Sequence, residues 1–203
     1  MRTVKICGLR RKEDIEAVNV LLPEYAGMIL SSGFRRSLSR ETAAELKAAL
    51  DKRIKMCGVF VNEETAFIRS FLEEGIIDIV QLHGNEKNSQ IDELHSLYPG
   101  LTVFKAFRVR NKEDLKEAAE SHADHVLLDS GTGTGRTFDW ELIRDFPRPY
   151  ILAGGLDPEN VGEALRILTP IGLDVSSGVE TDGMKDPLKM KAFVEAVRGK
   201  ETV

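Results

Sequence analysis

Short apolar runs rich in β-branched residues alternate with longer charged stretches along the whole chain. The apolar runs lie at residues 3–7, 26–30, 55–61, 77–83, 101–107, 124–129, 150–155 and 172–177. Each run is bounded by Gly, Ser or Asp, as is typical of buried strands. The pattern therefore predicts eight strands at regular intervals.

The charged stretches between the runs carry apolar residues at helical spacing, and eight of them are predicted to form helices. The clearest are residues 11–22, 39–52, 62–75, 157–168 and 186–199. Several begin with a residue that caps helices well: Ser39, Asn62, and Asp157 followed by a proline. Gly75 is expected to end the third of these helical stretches.

Strands separated by helices run parallel, because each helix returns the chain to the starting edge. Two architectures fit this order: an open doubly wound sheet and a closed barrel. The count of eight and the even spacing favour a single (β/α)8 TIM barrel domain over residues 1–203. In either architecture a ligand binds beyond the carboxyl ends of the strands.

Composition narrows the function classes. The chain has 203 residues and a net charge of −5, so it offers no broad basic field for nucleic acid or anionic membrane. A small anionic ligand needs only a local cluster of donors. The two cysteines suit a reducing compartment, and the charged start MRTVKICGLRRKED does not read as a signal peptide. With no apolar run near the ~20 residues of a membrane span, we expect a cytoplasmic protein.

The two cysteines differ in position. Cys57 lies inside its predicted strand and is interpreted as a small buried hydrophobe. Cys7 ends its strand at the ligand-binding edge, where a thiolate can act as base or nucleophile. Lys5 lies two residues earlier on the same face, and its side chain is interpreted as structural, filling the interior of the barrel.

Asp129 also ends a strand, the sixth. A carboxylate at that edge can transfer a proton if burial raises its pKa, although a loop-capping role is an equal alternative. The following segment, SGTGTGRTFDW (130–140), lacks the G-x-G-x-x-G spacing of dinucleotide sites. We interpret it as a mobile lid, with a connector that has no function as the alternative.

Glycines and serines follow the last two strands. Gly154 and Gly155 precede a helix, and Ser176, Ser177 and Gly178 follow the eighth strand. Loops after strands 7 and 8 are the usual phosphate site of these barrels, so the pattern indicates a phosphorylated ligand held by backbone amides. Two tight turns without a ligand are the alternative.

Four further positions carry candidate polar groups. Arg35 and Arg36 follow the second strand, where one guanidinium can pair with a carboxylate. Gln81 and His83 share a strand face at the same edge. His83 is a candidate proton shuttle, and a hydrogen-bonded structural imidazole is the alternative. No His, Cys and Asp cluster has the spacing of metal ligands, so no metal is predicted.

Taken in order, the stretches KICGLR, GVFVN, VQLHG, LLDS, FDW, LAGGLDPENV and DVSSGVET resemble the phosphoribosylanthranilate isomerases of tryptophan biosynthesis. The resemblance runs from residue 4 to about residue 186. It implies a (β/α)8 barrel, no cofactor, a small phosphorylated substrate, and an Amadori rearrangement of N-(5-phosphoribosyl)anthranilate.

The resemblance also implies residue roles. Cys7 would be the general base and Asp129 the general acid, while Arg36 would face the anthranilate carboxylate; the choice between Arg36 and Arg35 stays open. The glycine and serine turns would hold the phosphate. A histidine-pathway isomerase, which has Asp at the position of Cys7, and a non-catalytic phospho-ligand binder are the alternatives. Either a monomer or a homodimer is compatible with the sequence.

Overall fold

Eight parallel strands close into a barrel in the computed structural model of the chain, which describes residues 2–129 and 140–199. The strands are β1 Thr3–Cys7, β2 Tyr25–Ile29, β3 Lys55–Phe60, β4 Ile79–Leu82, β5 Thr102–Arg108, β6 His125–Asp129, β7 Tyr150–Ala153 and β8 Gly172–Val175. β1 pairs with both β2 and β8, with Cys7 opposite Gly27 and Ile6 opposite Val175. The predicted barrel is thus confirmed, and the open sheet is excluded.

Seven α-helices surround the strands in the described part of the chain. They are α1 Lys12–Leu21, α2 Arg40–Ala49, α3 Thr65–Glu73, α4 Asn88–Leu97, α5 Lys112–Ala119, α6 Val161–Ile167 and α7 Pro187–Arg198. The cap predicted at Ser39 is confirmed, since its side chain accepts a hydrogen bond from the amide of Thr42.

Three helix predictions were wrong in detail. Asn62 does not cap α3, which begins at Thr65 after Glu64; instead Asn62 adopts a left-handed φ of 56° and its side chain accepts from the amide of Asn85. Asp157 starts a turn rather than α6, which begins at Val161. An eighth helix between β6 and β7 is absent from residues 140–149, which hold only the 3-10 turn Trp140–Ile143. Pro147 and Pro149 prevent that turn from continuing as a helix.

Side chains fill the lower barrel and leave its upper end open. One buried cluster consists of Cys57, Ile79, Phe104, Ala106, Leu127 and Ile151, all from barrel strands. Tyr25 packs edge-on against Phe104, with ring centroids 5.2 Å apart. Such layers make the interior a packed core rather than a pore. Within the barrel, ligand space therefore lies at the carboxyl ends of the strands.

A small hairpin follows β8. After the 3-10 turn Ser177–Val179, strand β9 Glu180–Thr181 pairs antiparallel with β10 Met184–Lys185, and Asp186 caps the last helix. Arg10 and Arg35, from the loops after β1 and β2, donate to the carbonyl of Gly183 in this hairpin. The hairpin thus ties the end of the barrel to its beginning. None of the seven helices combines the length and the apolar character that crossing a bilayer requires.

Candidate active site

A cavity of about 830 Å³ opens at the carboxyl ends of the strands. Most of the candidate residues identified from the sequence line it: Cys7, Arg36, Gln81, His83, Asp129, Gly154, Gly155, Ser176 and Ser177. Arg35 and Gly178 do not line it. The barrel therefore brings together residues from six strand ends that lie far apart in the sequence.

Cys7 closes β1 at the floor of this cavity, where its neighbour on β2 is a glycine. A Cβ atom on Gly27 would lie 2.9 Å from Sγ of Cys7 and 3.2 Å from Nζ of Lys5. The missing side chain leaves room for the thiol and the ammonium to lie side by side. Cys57 by contrast is fully buried, and burial raises the pKa of its thiol to about 12. Cys57 therefore stays a neutral thiol in the core.

Beneath Cys7 lies a buried ion pair. Nζ of Lys5 is 3.0 Å from Oδ1 of Asp174, and their side chains are only 1% and 9% exposed. Although burial alone would lower the pKa of Lys5, the Asp174 carboxylate raises it above its ordinary value, so Lys5 stays charged. Lys5 was predicted to lie inside the barrel, whereas Asp174, which lines the cavity, was not predicted. The sequence feature that could have identified Asp174 is a carboxylate within the otherwise apolar run GLDV.

Asp129 ends β6 and faces a histidine. Nε2 of His83 lies 3.4 Å from Oδ2 of Asp129, and the other ring nitrogen, Nδ1, lies 3.2 Å from the amide nitrogen of Gln81. An amide nitrogen only donates, so Nδ1 accepts and the ring proton is on Nε2, the ring nitrogen that lies near Asp129. The Gln81 oxygen in turn faces the thiol of Cys57 at 3.9 Å. A chain of contacts thus runs from the core to Asp129.

The turn that carries His83 is held by a second buried pair, which the sequence analysis missed. Glu86 accepts from the amides of Asn62 and Gly84 at 2.7 Å and 2.8 Å. Its carboxylate also lies 3.2 Å from Nζ of Lys105, whose pKa burial lowers despite this partner. Both residues line the cavity wall. The pair therefore fixes the loop after β4 against β3.

Of the two arginines after β2, Arg36 points into the cavity and Arg35 lies outside it. The Arg36 side chain lines the cavity and is 19% exposed, whereas Arg35 is 56% exposed outside it. Both contact the carboxylate of Glu180 in the hairpin, each at 2.9 Å. Only Arg36 can therefore reach a ligand in the cavity.

The turns after β7 and β8 form one wall. Gly154 and Gly155 have positive φ values of 85° and 65°, and within residues 2–129 and 140–199 neither amide donates a hydrogen bond. Asn160 braces this turn by donating to the carbonyl of Gly155 at 2.8 Å. A Cβ on Gly178 would lie 1.9 Å from the Leu156 carbonyl oxygen, so Gly178 acts by letting the two turns pack closely.

The predicted lid lies largely outside the described residues, since 130–139 are not among them. Trp140, at its end, is buried. Across the two described ranges, no three or more His, Cys, Asp and Glu side chains are grouped as metal ligands would be.

The chain is similar to known proteins over nearly its whole length. Residues 4–196 match the model of the N-(5'phosphoribosyl)anthranilate (PRA) isomerase family. An N-(5'-phosphoribosyl)anthranilate isomerase of Thermoanaerobacter sp. (strain X514) is 46% identical over 206 residues, covering 98% of this chain and 99% of the relative.

Two solved structures are similar over nearly the whole barrel. The phosphoribosyl anthranilate isomerase of Thermotoga maritima superimposes with a TM-score of 0.88 at 34% identity, covering 98% of this chain and 100% of that one. A phosphoribosyl anthranilate isomerase in complex with reduced 1-(o-carboxyphenylamino)-1-deoxyribulose 5-phosphate gives a TM-score of 0.87, with the same identity of 34% and the same coverage of 98% and 100%.

Proposed function

This chain belongs to the N-(5'-phosphoribosyl)anthranilate isomerase family, and from that premise we propose how its residues carry out the reaction. The reaction converts N-(5-phosphoribosyl)anthranilate to 1-(2-carboxyphenylamino)-1-deoxyribulose 5-phosphate, a step of tryptophan biosynthesis. It opens the furanose ring and moves a proton from C2 of the sugar to C1. It therefore needs one acid and one base, and no redox partner or cofactor.

Asp129 is assigned as the acid and Cys7 as the base. Protonated Asp129 gives its proton to the ring oxygen as the C1–O bond breaks, which leaves a Schiff base at C1. The Cys7 thiolate then removes the C2 proton to form an enolamine, which tautomerises to the aminoketone. The observation that carries this assignment is that the two residues line one cavity from separate strands, β1 and β6.

Neighbouring side chains support these two roles. The Lys5 ammonium and the Cys7 sulfur both border the space above Gly27, so a positive charge lies near the proposed base. Nε2 of His83 lies 3.4 Å from Oδ2 of Asp129, and His83 is proposed as a positioning residue that holds the carboxyl group toward the sugar. Gln81 is proposed to act through His83, by fixing its tautomer.

The substrate's two anionic ends are assigned to opposite parts of the cavity. The phosphate is proposed to bind the amides of Gly154 and Gly155 and the turn of Ser176 and Ser177, because unpaired amides at glycine turns attract anions. The anthranilate carboxylate is proposed to pair with Arg36, since Arg35 points away from the cavity. A cytoplasmic location, and either a monomer or a homodimer, remain part of the proposal.

Turnover of phosphoribosylanthranilate made in situ, followed by fluorescence, tests the assignment. Cys7→Ser and Asp129→Asn are each expected to lower kcat by about 10²–10⁴-fold while circular dichroism shows an intact fold. Cys57→Ser is the matched control, since this thiol lies in the core below the cavity. Near-native turnover in either active-site variant would show that the acid and base are other residues.

A further inference from the structure

Glu180 of β9 binds three cations at once. Its Oε2 lies 2.9 Å from Nη2 of Arg35, and its Oε1 lies 2.9 Å from Nε of Arg36 and 3.0 Å from Nζ of Lys185. The Glu180 side chain is only 7% exposed. One carboxylate therefore joins the loop after β2 to the hairpin after β8.

This carboxylate stays ionised. Burial by itself would raise the pKa of Glu180, but hydrogen bonds from Arg35 and Lys185, the charge of Lys185 and the adjacent Arg36 guanidinium lower it to about 2. Three positive groups face one negative group, so the cluster keeps a positive excess beside the cavity. Glu180 can thus hold Arg36 without cancelling its attraction for an anion.

The contact with Glu180 leaves the two terminal nitrogens of Arg36 available to a ligand. An oxygen of Glu180 lies close to Nε of Arg36 but not along its N–H bond, so the two form an ion pair without a hydrogen bond. Within residues 2–129 and 140–199, no acceptor forms a hydrogen bond with either terminal nitrogen of Arg36. The stem is confined from the other side, because a Cβ on Gly8 would lie 2.7 Å from Cδ of Arg36. A guanidinium whose two terminal nitrogens are unpaired suits a carboxylate bound through two parallel hydrogen bonds.

We propose that Glu180 is a positioning residue that aims the terminal nitrogens of Arg36 at the substrate carboxylate, and thereby selects N-aryl sugar phosphates that carry an ortho-carboxylate. The inference rests on the proposed pairing of Arg36 with that carboxylate. It assigns to Glu180 a part in specificity rather than in proton transfer.

Two substrates separate this role from a structural one: phosphoribosylanthranilate and the matched phosphoribosylaniline, each made in situ from the amine and ribose 5-phosphate. Glu180→Gln is expected to raise KM for the first on the order of tenfold, with little change in kcat, because Arg36 loses its orientation. With phosphoribosylaniline the same variant should keep the kcat/KM of the parent enzyme, since no carboxylate is present.

Arg35→Gln is the matched control. Arg35 binds the same carboxylate from outside the cavity, so its loss is expected to change KM for phosphoribosylanthranilate by less than about threefold. Combining Glu180→Gln with Arg36→Ala should add nothing to the effect of Arg36→Ala alone, because Glu180 acts through Arg36. If the Gln variant does not fold, Glu180→Asp keeps the charge and withdraws it by one methylene; the same substrate-selective rise in KM is expected.

The outcomes distinguish a failure of the role proposed for Glu180 from a failure of the proposed pairing of Arg36 with the substrate carboxylate. Equal losses of kcat/KM on both substrates, or effects that add in the double variant, would overturn the role of Glu180. If Arg36→Ala itself affected both substrates equally, the proposed pairing of Arg36 with the carboxylate would be the part that fails. Unchanged KM in both Glu180 variants would likewise overturn the inference.

Discussion

Nε2 of His83 lies 3.4 Å from Oδ2 of Asp129, while Nδ1 of the same ring faces the Gln81 amide nitrogen at 3.2 Å. This arrangement determines which nitrogen carries the proton, because the amide nitrogen is a donor. The proposed acid therefore lies beside a ring whose tautomer is set by Gln81, two residues earlier on β4.

Replacing Gln81 by Glu should abolish that tautomer. A carboxylate in place of the amide nitrogen accepts from Nδ1, so Nδ1 becomes protonated and the neutral Nε2–H form of His83 is lost; turnover is expected to fall by about 10-fold or more. Long-range ¹H–¹⁵N NMR should show an unprotonated Nδ1 of His83 in the parent enzyme and a protonated Nδ1 in the variant. His95→Gln is the control, since His95 lies on α4 and does not line the cavity. An unprotonated Nδ1 in the variant would contradict the assignment.

Adding one methyl group at Gly178 should damage the proposed phosphate site. In Gly178→Ala the new carbon would meet the Leu156 carbonyl 1.9 Å away, so the turns after β7 and β8 must separate. We expect a loss of roughly 1–3 kcal/mol in the free energy of unfolding and a raised KM for the phosphorylated substrate.

Gly162→Ala provides the control for that variant. Gly162 lies in α6 with nothing within 4 Å of an added Cβ, so alanine is expected to be neutral or to stabilise the fold by up to about 1 kcal/mol. Urea titration and steady-state kinetics measure both effects. Equal KM values for the two glycine variants would argue against a phosphate site at these turns.

Breaking the buried pair of Lys5 and Asp174 should be costly for stability. Lys5→Met leaves the Asp174 carboxylate in the barrel without its partner, and we expect a loss of about 3–5 kcal/mol in the free energy of unfolding. The double variant with Asp174→Leu should recover much of that loss, because no unpaired charge remains.

An exposed ion pair gives the comparison. Lys116 and Glu120 lie 3.9 Å apart on the surface, with both side chains more than half exposed. Lys116→Met is expected to change stability by less than about 0.5 kcal/mol in the same urea titration. Similar losses for the Lys5 and Lys116 variants would show that the buried pair contributes no more than a surface pair.

Glu180 should make stability depend on pH in acid solution. Its pKa is about 2 in the folded chain and about 4.3 for an unperturbed glutamate, so between these values the unfolded chain binds more protons. The advantage of the parent over Glu180→Gln is therefore full above pH 4.5 and lost as pH falls toward 2.

Unfolding free energies at pH 6 and pH 3 measure this dependence. Glu120→Gln is the control, since its ion pair is exposed, and its difference from the parent is expected to stay small at both values. A difference between parent and Glu180→Gln that is the same at both pH values would contradict the depressed pKa.

Residues that end a strand were predictable because their local position carries the signal. Cys7 and Cys57 have the same chemistry, but only Cys7 stands at the end of its apolar run, and it lines the cavity. The same rule identified Asp129 and His83. Parallel strands bring all carboxyl ends to one edge, so a one-dimensional pattern selects residues that meet in space.

Residues whose role depends on a distant partner were missed. Asp174 and Glu86 look like ordinary acids in a strand and a loop, and only the closed barrel puts Lys5 and Lys105 beside them. Glu180 is 144 residues from Arg36 along the chain and 2.9 Å from it in space. Nothing local to either residue encodes that contact.

By itself, the sequence determined the alternation of strands and helices, the barrel, and the edge at which chemistry takes place, because periodicity and strand ends are local properties. Only the tertiary structure decided that Arg36 rather than Arg35 faces the cavity, and which partners hold Cys7, Asp129 and Arg36. Barrel closure brings β1 against β8 and the hairpin against the loop after β2. The orientation of a side chain at such a contact depends on packing against residues far away in the sequence, so a short segment does not determine it.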